Sequence, residues 1–262
     1  MTTEMPSQTY HYSAHGHGFS AHVRRPFDHL IDVQAASSLP TIGGHGTSRV
    51  DNFRLKELVS FKSAYSHVSG SRNPANGHYT TLVTATVEGL NVQDVVTADR
   101  LVARLAADHD PNAPRNDREP HIIMLGSKFE NLQIAGCRVE LELDYEFFLR
   151  LETFEACLKE LDSNAQFRKI ALDPFETGQA VEPPKASGVL LCSLVKEMRT
   201  ACPGVTRHGH CFVVPQFGRI YLAEILARYG TRTLTMLRLE LGSPVSNTAA
   251  AAETIINGHT WP

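Results

Sequence analysis

The sequence predicts a mainly β protein, with antiparallel sheets arranged as in a β-sandwich and one helical insertion at about residues 145–171. Two observations carry this prediction. Several segments alternate apolar and polar residues with the period of a half-buried strand, whereas one segment spaces its apolar residues by three and four. We expect a single β-rich domain over residues 1–262, with the insertion and its flanking loop extending to about residue 186.

Four segments show the strand alternation. In chain order they are Leu58–His67, Thr80–Glu88, Arg138–Asp144 and Thr233–Leu241. Between the first two lies Asn76-Gly77, a dipeptide that readily takes the positive φ angles of a tight turn, so these two strands should form a hairpin. The segment Leu101–Ala107 fits a short helix almost as well as a strand, and the proline-rich segment 110–120 predicts an exposed loop.

The helical insertion begins with one amphipathic segment, Tyr145–Leu161. Its apolar stripe consists of Phe147, Leu151, Phe154, Leu158 and Leu161. Spacings of three and four place these side chains on one face of a continuous helix. We expect that face to pack on the open side of a sheet.

Composition excludes some classes of partner. Charged residues make up 20% of the chain and the net charge is −3, so there is no basic excess to hold a phosphate backbone, and nucleic acid is not expected. No apolar run is long enough to span a bilayer, and the N-terminus lacks the pattern of a secretory signal, which predicts a cytoplasmic protein. The five cysteines include no CxxC pair, so we expect reduced, mostly buried thiols without a disulfide.

Several of the predicted strands share short motifs with a known family. The segments Glu88–Asp99, Gly126–Gly136, Gly218–Glu224 and Leu234–Leu241 resemble, in this order, the core of bacterial choice-of-anchor P proteins. The resemblance covers roughly residues 50–242. It implies a β-rich extracellular domain carried on differing anchors, without known catalysis, and therefore a cell-surface location as the alternative to the cytoplasm. It supplies no catalytic residue.

Two histidine-rich segments are the clearest candidates for chemistry. The first, HGHGF, contains His15 and His17, and the second, RHGHCF, contains His208 and His210. Residues two apart on a strand project to the same face, so each segment could present a pair of imidazoles to a divalent metal such as zinc. A carboxylate such as Glu224 could complete the site.

The alternative is that both segments serve backbone shape. In this interpretation Gly16, Gly18 and Gly209 permit a bulge or close packing, and the imidazoles lie in solvent. Among the cysteines, Cys211 beside His210 is the one with a setting that suggests a nucleophile.

We therefore predict a non-catalytic structural or binding protein with no cofactor and no catalytic residues. Edge strands of its sheets would bind a protein partner or a second copy of the chain. The alternative is a small metal-dependent enzyme that uses the paired histidines.

Overall fold

The computed structural model describes residues 9–25, 27–114, 119–174, 181–242 and 246–261. The strands are β1 (Thr9–Arg25), β2 (His29–Gln34), β3 (Ser37–Ser38), β4 (Gly44–Leu55), β5 (Val59–Arg72), β6 (Tyr79–Val92), β7 (Val96–His109), β8 (His121–Ile123), β9 (Lys128–Glu130), β10 (Gln133–Ile134), β11 (Cys137–Arg138), β12 (Glu140–Leu143), β13 (Leu190–Ser193), β14 (Val195–Arg199), β15 (Thr206–His208), β16 (Cys211–Val214), β17 (Gly218–Arg228), β18 (Thr231–Leu241) and β19 (Ser246–Trp261). The helices are α1 (Tyr145–Phe148), α2 (Phe154–Ser163), α3 (Ala165–Leu172) and α4 (Pro184–Ser187).

The strands form two large antiparallel sheets that pack face to face. The nine-stranded sheet has the order β15-β16-β17-β18-β19-β1-β2, with β13 beside β17 and β3 beside β1. The eight-stranded sheet has the order β11-β10-β7-β6-β5-β4, with β8 and β9 beside β7. Strand β1 packs against β5 and β6, and β19 packs against β6 and β7. The predicted fold class, mainly β with sandwich-like antiparallel sheets, is confirmed.

Most of the predicted strands are present. Leu58–His67 lies largely within β5 and Thr80–Glu88 within β6, and the two strands pair as a hairpin whose loop contains Gly77 at φ 77°. The ambiguous segment Leu101–Ala107 is part of β7. Arg138–Asp144 is divided between β11 and β12, and β12 pairs with β14 in a separate two-stranded sheet.

The predicted continuous helix over Tyr145–Leu161 is wrong. Helix α1 stops at Phe148, and α2 starts at Phe154 after an N-cap at Thr153, whose side chain accepts a hydrogen bond from Ala156 N. Leu151, Phe154 and Leu161 are all buried, as their spacing predicts, but Leu151 lies in the connection between the two helices. Capping residues divide the stripe into two elements that share one core.

Two further expectations are overturned. Cys137 and Cys202 form a disulfide with their Cα atoms 5.6 Å apart, whereas the sequence predicted reduced thiols throughout. The bond links the first residue of β11 to the segment before β15. The segment 110–120 is not a uniformly exposed loop, because Glu119 is buried; residues 115–118 lie outside the described residues.

Candidate functional site

The two histidine-rich segments lie far apart in the nine-stranded sheet. The first is in β1 and the second is at the end of β15, and four strands separate them. Five steps of about 4.8 Å between neighbouring strands correspond to about 24 Å. His15 and His17 therefore do not share a point with His208 and His210, and the described residues contain no group of three or more His, Cys, Asp or Glu placed to hold a metal ion.

The histidines of β1 have separate partners. His15 is exposed, and its Nδ1 lies 2.9 Å from Ser38 Oγ. His17 is half-buried, with Nδ1 4.0 Å from a carboxylate oxygen of Glu253. Burial lowers the pKa of His17 against the opposing effect of Glu253. The imidazole of His17 is therefore mostly neutral at neutral pH, and it lies on the side of β1 that faces away from the core.

The glycines of the first segment explain its sequence pattern. Gly16 and Gly18 face the core, where a Cβ on Gly16 would lie 3.0 Å from Val83 and one on Gly18 would lie 2.5 Å from Ala64. Real Cβ atoms do not approach as closely as the one on Gly18 would, so this position needs glycine for the two sheets to meet, whereas a Cβ on Gly16 would require a small shift of the Val83 side chain. The interpretation that these glycines permit close packing is confirmed.

The second segment is a turn and not a continuous strand. His208 ends β15, Gly209 has φ 55°, and β16 starts at Cys211. A Cβ on Gly209 would lie 2.5 Å from Pro174 O, which is a further reason for glycine here. His208 is exposed but His210 is 4% exposed, so the expectation that both imidazoles face one way, or both lie in solvent, is wrong.

The buried His210 contacts Glu224, whose carboxylate is also bound by Arg238 from the next strand. Its Nε2 lies 3.2 Å from Oε1 of Glu224 on β17, and both side chains are buried. Arg238 on β18 donates to the same carboxylate through Nε and, at 3.0 Å, through Nη2. We call His210, Glu224 and Arg238 the charged triad. Glu224 was considered from sequence as a partner for these histidines, and the structure places it against one of them.

An unusual backbone conformation brings Glu224 to this side of its strand. Ala223, the residue before it, has φ 48°, which is rare for a residue with a side chain. In a regular strand Tyr221 and Glu224 would face opposite sides, because they are three residues apart. Here Arg238 contacts both: its guanidinium carbon lies 3.6 Å from the Tyr221 ring centroid while its nitrogens bind Glu224. The break in alternation at Ala223 thus assembles the triad.

Protonation at the triad follows from these contacts. Burial opposes ionisation of Glu224, but hydrogen bonds from His210 and Arg238 outweigh it, so the pKa of the carboxyl lies below its ordinary value. Burial lowers the pKa of Arg238, but its hydrogen bonds to Glu224 and Glu240 raise it by more, so the pKa lies above its ordinary value. The triad therefore holds a carboxylate and a guanidinium that satisfy each other, as buried charges must.

Cys211 does not have the properties of a nucleophile. Burial raises the pKa of its thiol to about 11, so little thiolate exists at neutral pH. The carboxylate of Glu224 is likewise committed to two partners. The contacts of the triad connect the turn before β16 to β17 and β18.

Sequence reasoning missed a second buried charge pair. Arg232 on β18 is 1% exposed, and its Nη1 lies 3.7 Å from Oε1 of Glu119. The Glu119 carboxylate also accepts hydrogen bonds from the backbone nitrogens of Phe154 at 2.8 Å and Gly230 at 2.9 Å. A charged residue at the end of a polar loop carries no local signal of burial, since its partners come from distant segments.

Comparison with known proteins identifies a family without assigning an activity. A family model described as a domain of unknown function, DUF8256, matches residues 10–172 and 153–228. Neither the curated proteins nor the solved structures include a match to this chain. No helix in the described ranges has the length and apolar character needed to cross a membrane. The resemblance to choice-of-anchor P proteins stays a prediction.

Proposed function

The chain belongs to the DUF8256 family, and from that premise we propose that it is a non-catalytic β-sandwich module that associates with a second copy of itself through the free edge of β4. The observation that carries the proposal is the length of that edge. Strand β4 covers Gly44–Leu55 and is the outermost strand of its sheet, paired only with β5 among the described strands. The other terminal strands, β2, β11 and β15, have six residues or fewer.

The regular part of this edge ends at Asn52. That residue has φ 55° and interrupts the pairing with β5, whereas Gly44–Asp51 pairs with β5 residue by residue. Along the regular part, His45, Thr47, Arg49 and Asp51 are exposed and the intervening residues are half-buried. An outer strand presents unpaired N–H and C=O groups that can bind another strand. Gly44–Asp51 is therefore a regular template for one more antiparallel strand.

Charge selects a register for pairing with a second copy. Pairing about Ser48 places Thr47 opposite Arg49 of the second copy and His45 opposite its Asp51, and it leaves Asn52 outside the regular ladder. Pairing about Arg49 would instead set two arginines directly opposite each other, which is destabilising. Pairing about Val50 would set Arg49 opposite Asp51, but it would bring the irregular residue Asn52 into the ladder opposite Ser48. We therefore assign the two-fold axis to Ser48.

Two opposite substitutions at Thr47 test this register. Thr47→Lys sets two like-charged pairs against Arg49, and Thr47→Glu sets two opposite-charged pairs. Each contact contributes about 0.5 kcal/mol, so two of them should raise the dimer Kd about fivefold for lysine and lower it about fivefold for glutamate. Light scattering over a concentration series measures both constants. Thr84→Lys on β6, which is paired on both sides, is the matched control and should leave the Kd unchanged.

The results of this experiment test self-association, the β4 edge and the register separately. A monomer at every concentration for the unsubstituted chain removes self-association. A dimer that both Thr47 variants weaken equally retains the β4 edge and rejects the register. A dimer that neither variant alters rejects the β4 edge.

The disulfide supports the extracellular placement that the choice-of-anchor P resemblance implies. Disulfides persist in oxidising compartments and are rare in the cytosol. Cys137–Cys202 connects segments 65 residues apart in sequence. We propose that the module functions where this bond is retained.

A further inference from the structure

A groove lies between α3 and the strands β13 and β14, close to the charged triad but separate from the β4 edge. It consists of two adjoining cavities of about 160 and 230 Å³. Both cavities are lined by Gln166 and Ile170 of α3 and by Ser193, Val195 and Lys196 of the strand segments. Because they share these residues, the two cavities lie side by side, and we call them together the α3 groove.

One end of the α3 groove is aromatic. Phe147, Phe148 and Phe167 line it, and the ring of Phe147 contacts both others edge to face, with centroid distances of 5.3 and 5.0 Å. The polar residue Asp144 at this end is committed, because its side chain accepts a hydrogen bond from Phe147 N as the cap of α1. Asn164 is committed in the same way to the start of α3. An apolar ligand group would meet ring surfaces here and few competing polar groups.

The other end of the groove carries more positive than negative charge. Lys169 of α3 and Arg207 of β15 line it together with Asp173. His210 forms part of its wall, with the Glu224 carboxylate behind it bound by Arg238. Lys196 in the middle is paired with Glu142 at 2.6 Å. Lys169 and Arg207 therefore leave an excess of one positive charge over Asp173 at this end.

We propose that the α3 groove binds a small amphipathic anion, with an aromatic or compact apolar body against the phenylalanines and a carboxylate at Lys169 and Arg207. Ligand sites are concave, mostly apolar, and fixed in orientation by a few polar groups, and the groove has this division along its length. A carboxylate forms charge-assisted hydrogen bonds to lysine and arginine. The inference is independent of pairing at β4.

Three probes of matched shape test the assignment. Phenylacetate carries both features, acetate lacks the apolar body, and phenylethylamine keeps the ring but has a positive charge. Backbone amide NMR shifts of the full chain during each titration report affinity and location. We expect phenylacetate to shift resonances of residues 166–170, 193–196 and 207–210 saturably, with acetate and phenylethylamine at least tenfold weaker.

A charge-reversal variant of the protein tests the same assignment. Lys169 is exposed, so Lys169→Glu should leave the fold intact and weaken phenylacetate binding about tenfold, equivalent to the loss of one charge-assisted contact. Lys62→Glu, an exposed lysine on β5, should have no effect. The proposal is rejected if phenylacetate causes no localised shifts up to about 10 mM. Equal affinity for the acid and the amine, or equal affinity of the Lys169→Glu and Lys62→Glu variants, also rejects it.

Discussion

His210 and Glu224, fourteen residues apart in sequence, form a buried pair whose Nε2 and Oε1 atoms lie 3.2 Å apart. Each residue is on or beside a different strand, and Arg238 from a third strand neutralises the carboxylate. Together with Arg238, the pair therefore connects a histidine turn, the kinked strand β17 and the adjacent strand β18 of the same sheet. Its consequences for stability can be measured.

The carboxylate of Glu224 should make stability depend on pH. Its pKa is depressed below the ordinary value of 4.5, so its contribution is fully present above that value and is lost as pH falls through the lower pKa of the folded state. Glu224→Gln should lower the free energy of unfolding at neutral pH by about 2 kcal/mol, because Arg238 and His210 lose the charge of their buried acceptor while Arg238 keeps its pair with Glu240. Urea unfolding from about pH 7 to about pH 3 should show this difference shrinking with acidity.

An exposed glutamate is the control for that series. Glu155 on α2 is 64% exposed in its side chain and pairs with Lys159 at the surface. Glu155→Gln should change the free energy of unfolding little at any pH, since exposed ion pairs contribute little. A Glu224→Gln difference that does not vary with pH would contradict the depressed pKa.

Glu119 should be a major determinant of stability. It is the buried partner of Arg232 and accepts two backbone hydrogen bonds. Glu119→Ala therefore removes the opposite charge beside a buried guanidinium, which keeps its backbone carbonyl acceptors, and leaves two N–H groups without their acceptor. Breaking a buried pair in this way costs about 4 kcal/mol. Glu119→Gln keeps an acceptor oxygen and should cost less. Denaturant midpoints of the two variants measure the order, and equal midpoints would contradict the role of the backbone hydrogen bonds.

Reduction of the disulfide should destabilise the chain. A closed loop with a sequence separation of 65 residues corresponds to a loss of about 4 kcal/mol when the bond is absent. Cys137→Ser should therefore lower Tm, and reductant should have no further effect on this variant. Alkylation in denaturant without reductant should modify three thiols, at Cys157, Cys192 and Cys211. Modification of all five would show that the bond is absent in the isolated protein.

Gly18→Ala should destabilise the contact between the two sheets. The added methyl group would lie 2.5 Å from the Cβ of Ala64, and relieving such overpacking typically costs about 2 kcal/mol. Gly242→Ala is the matched control, because its nearest neighbour, Phe217 O, lies at an ordinary 3.7 Å. Thermal unfolding compares the two. Equal Tm values would mean that the sheets can move apart at Gly18 without loss.

Elemental analysis tests the alternative metal-dependent enzyme. Because four strands lie between the pair containing His15 and the pair containing His208, we expect protein purified without a metal-affinity tag to hold no stoichiometric zinc. A stoichiometric metal that is lost in His208→Ala would restore the enzyme hypothesis. His45→Ala, at an exposed position on β4, is the control for loss of surface histidine.

The local alternation of apolar and polar residues was enough to predict much of the architecture from sequence. The alternation in Thr80–Glu88 and the Asn76-Gly77 dipeptide predicted a strand and its hairpin, because side-chain direction and turn angles depend on near neighbours. The end of α1 was missed although Thr153, a favoured N-cap residue, marks the start of α2. The apolar spacing concealed that signal.

The sequence by itself determined the β character of the protein and its hairpin between β5 and β6. The tertiary structure alone decided that Cys137 meets Cys202, that Glu119 meets Arg232, and that His210 meets Glu224 and not His15. Those contacts depend on which strands become neighbours and on the backbone break at Ala223. Strand order is set by the packing of the whole core, and no window of a few residues contains that information.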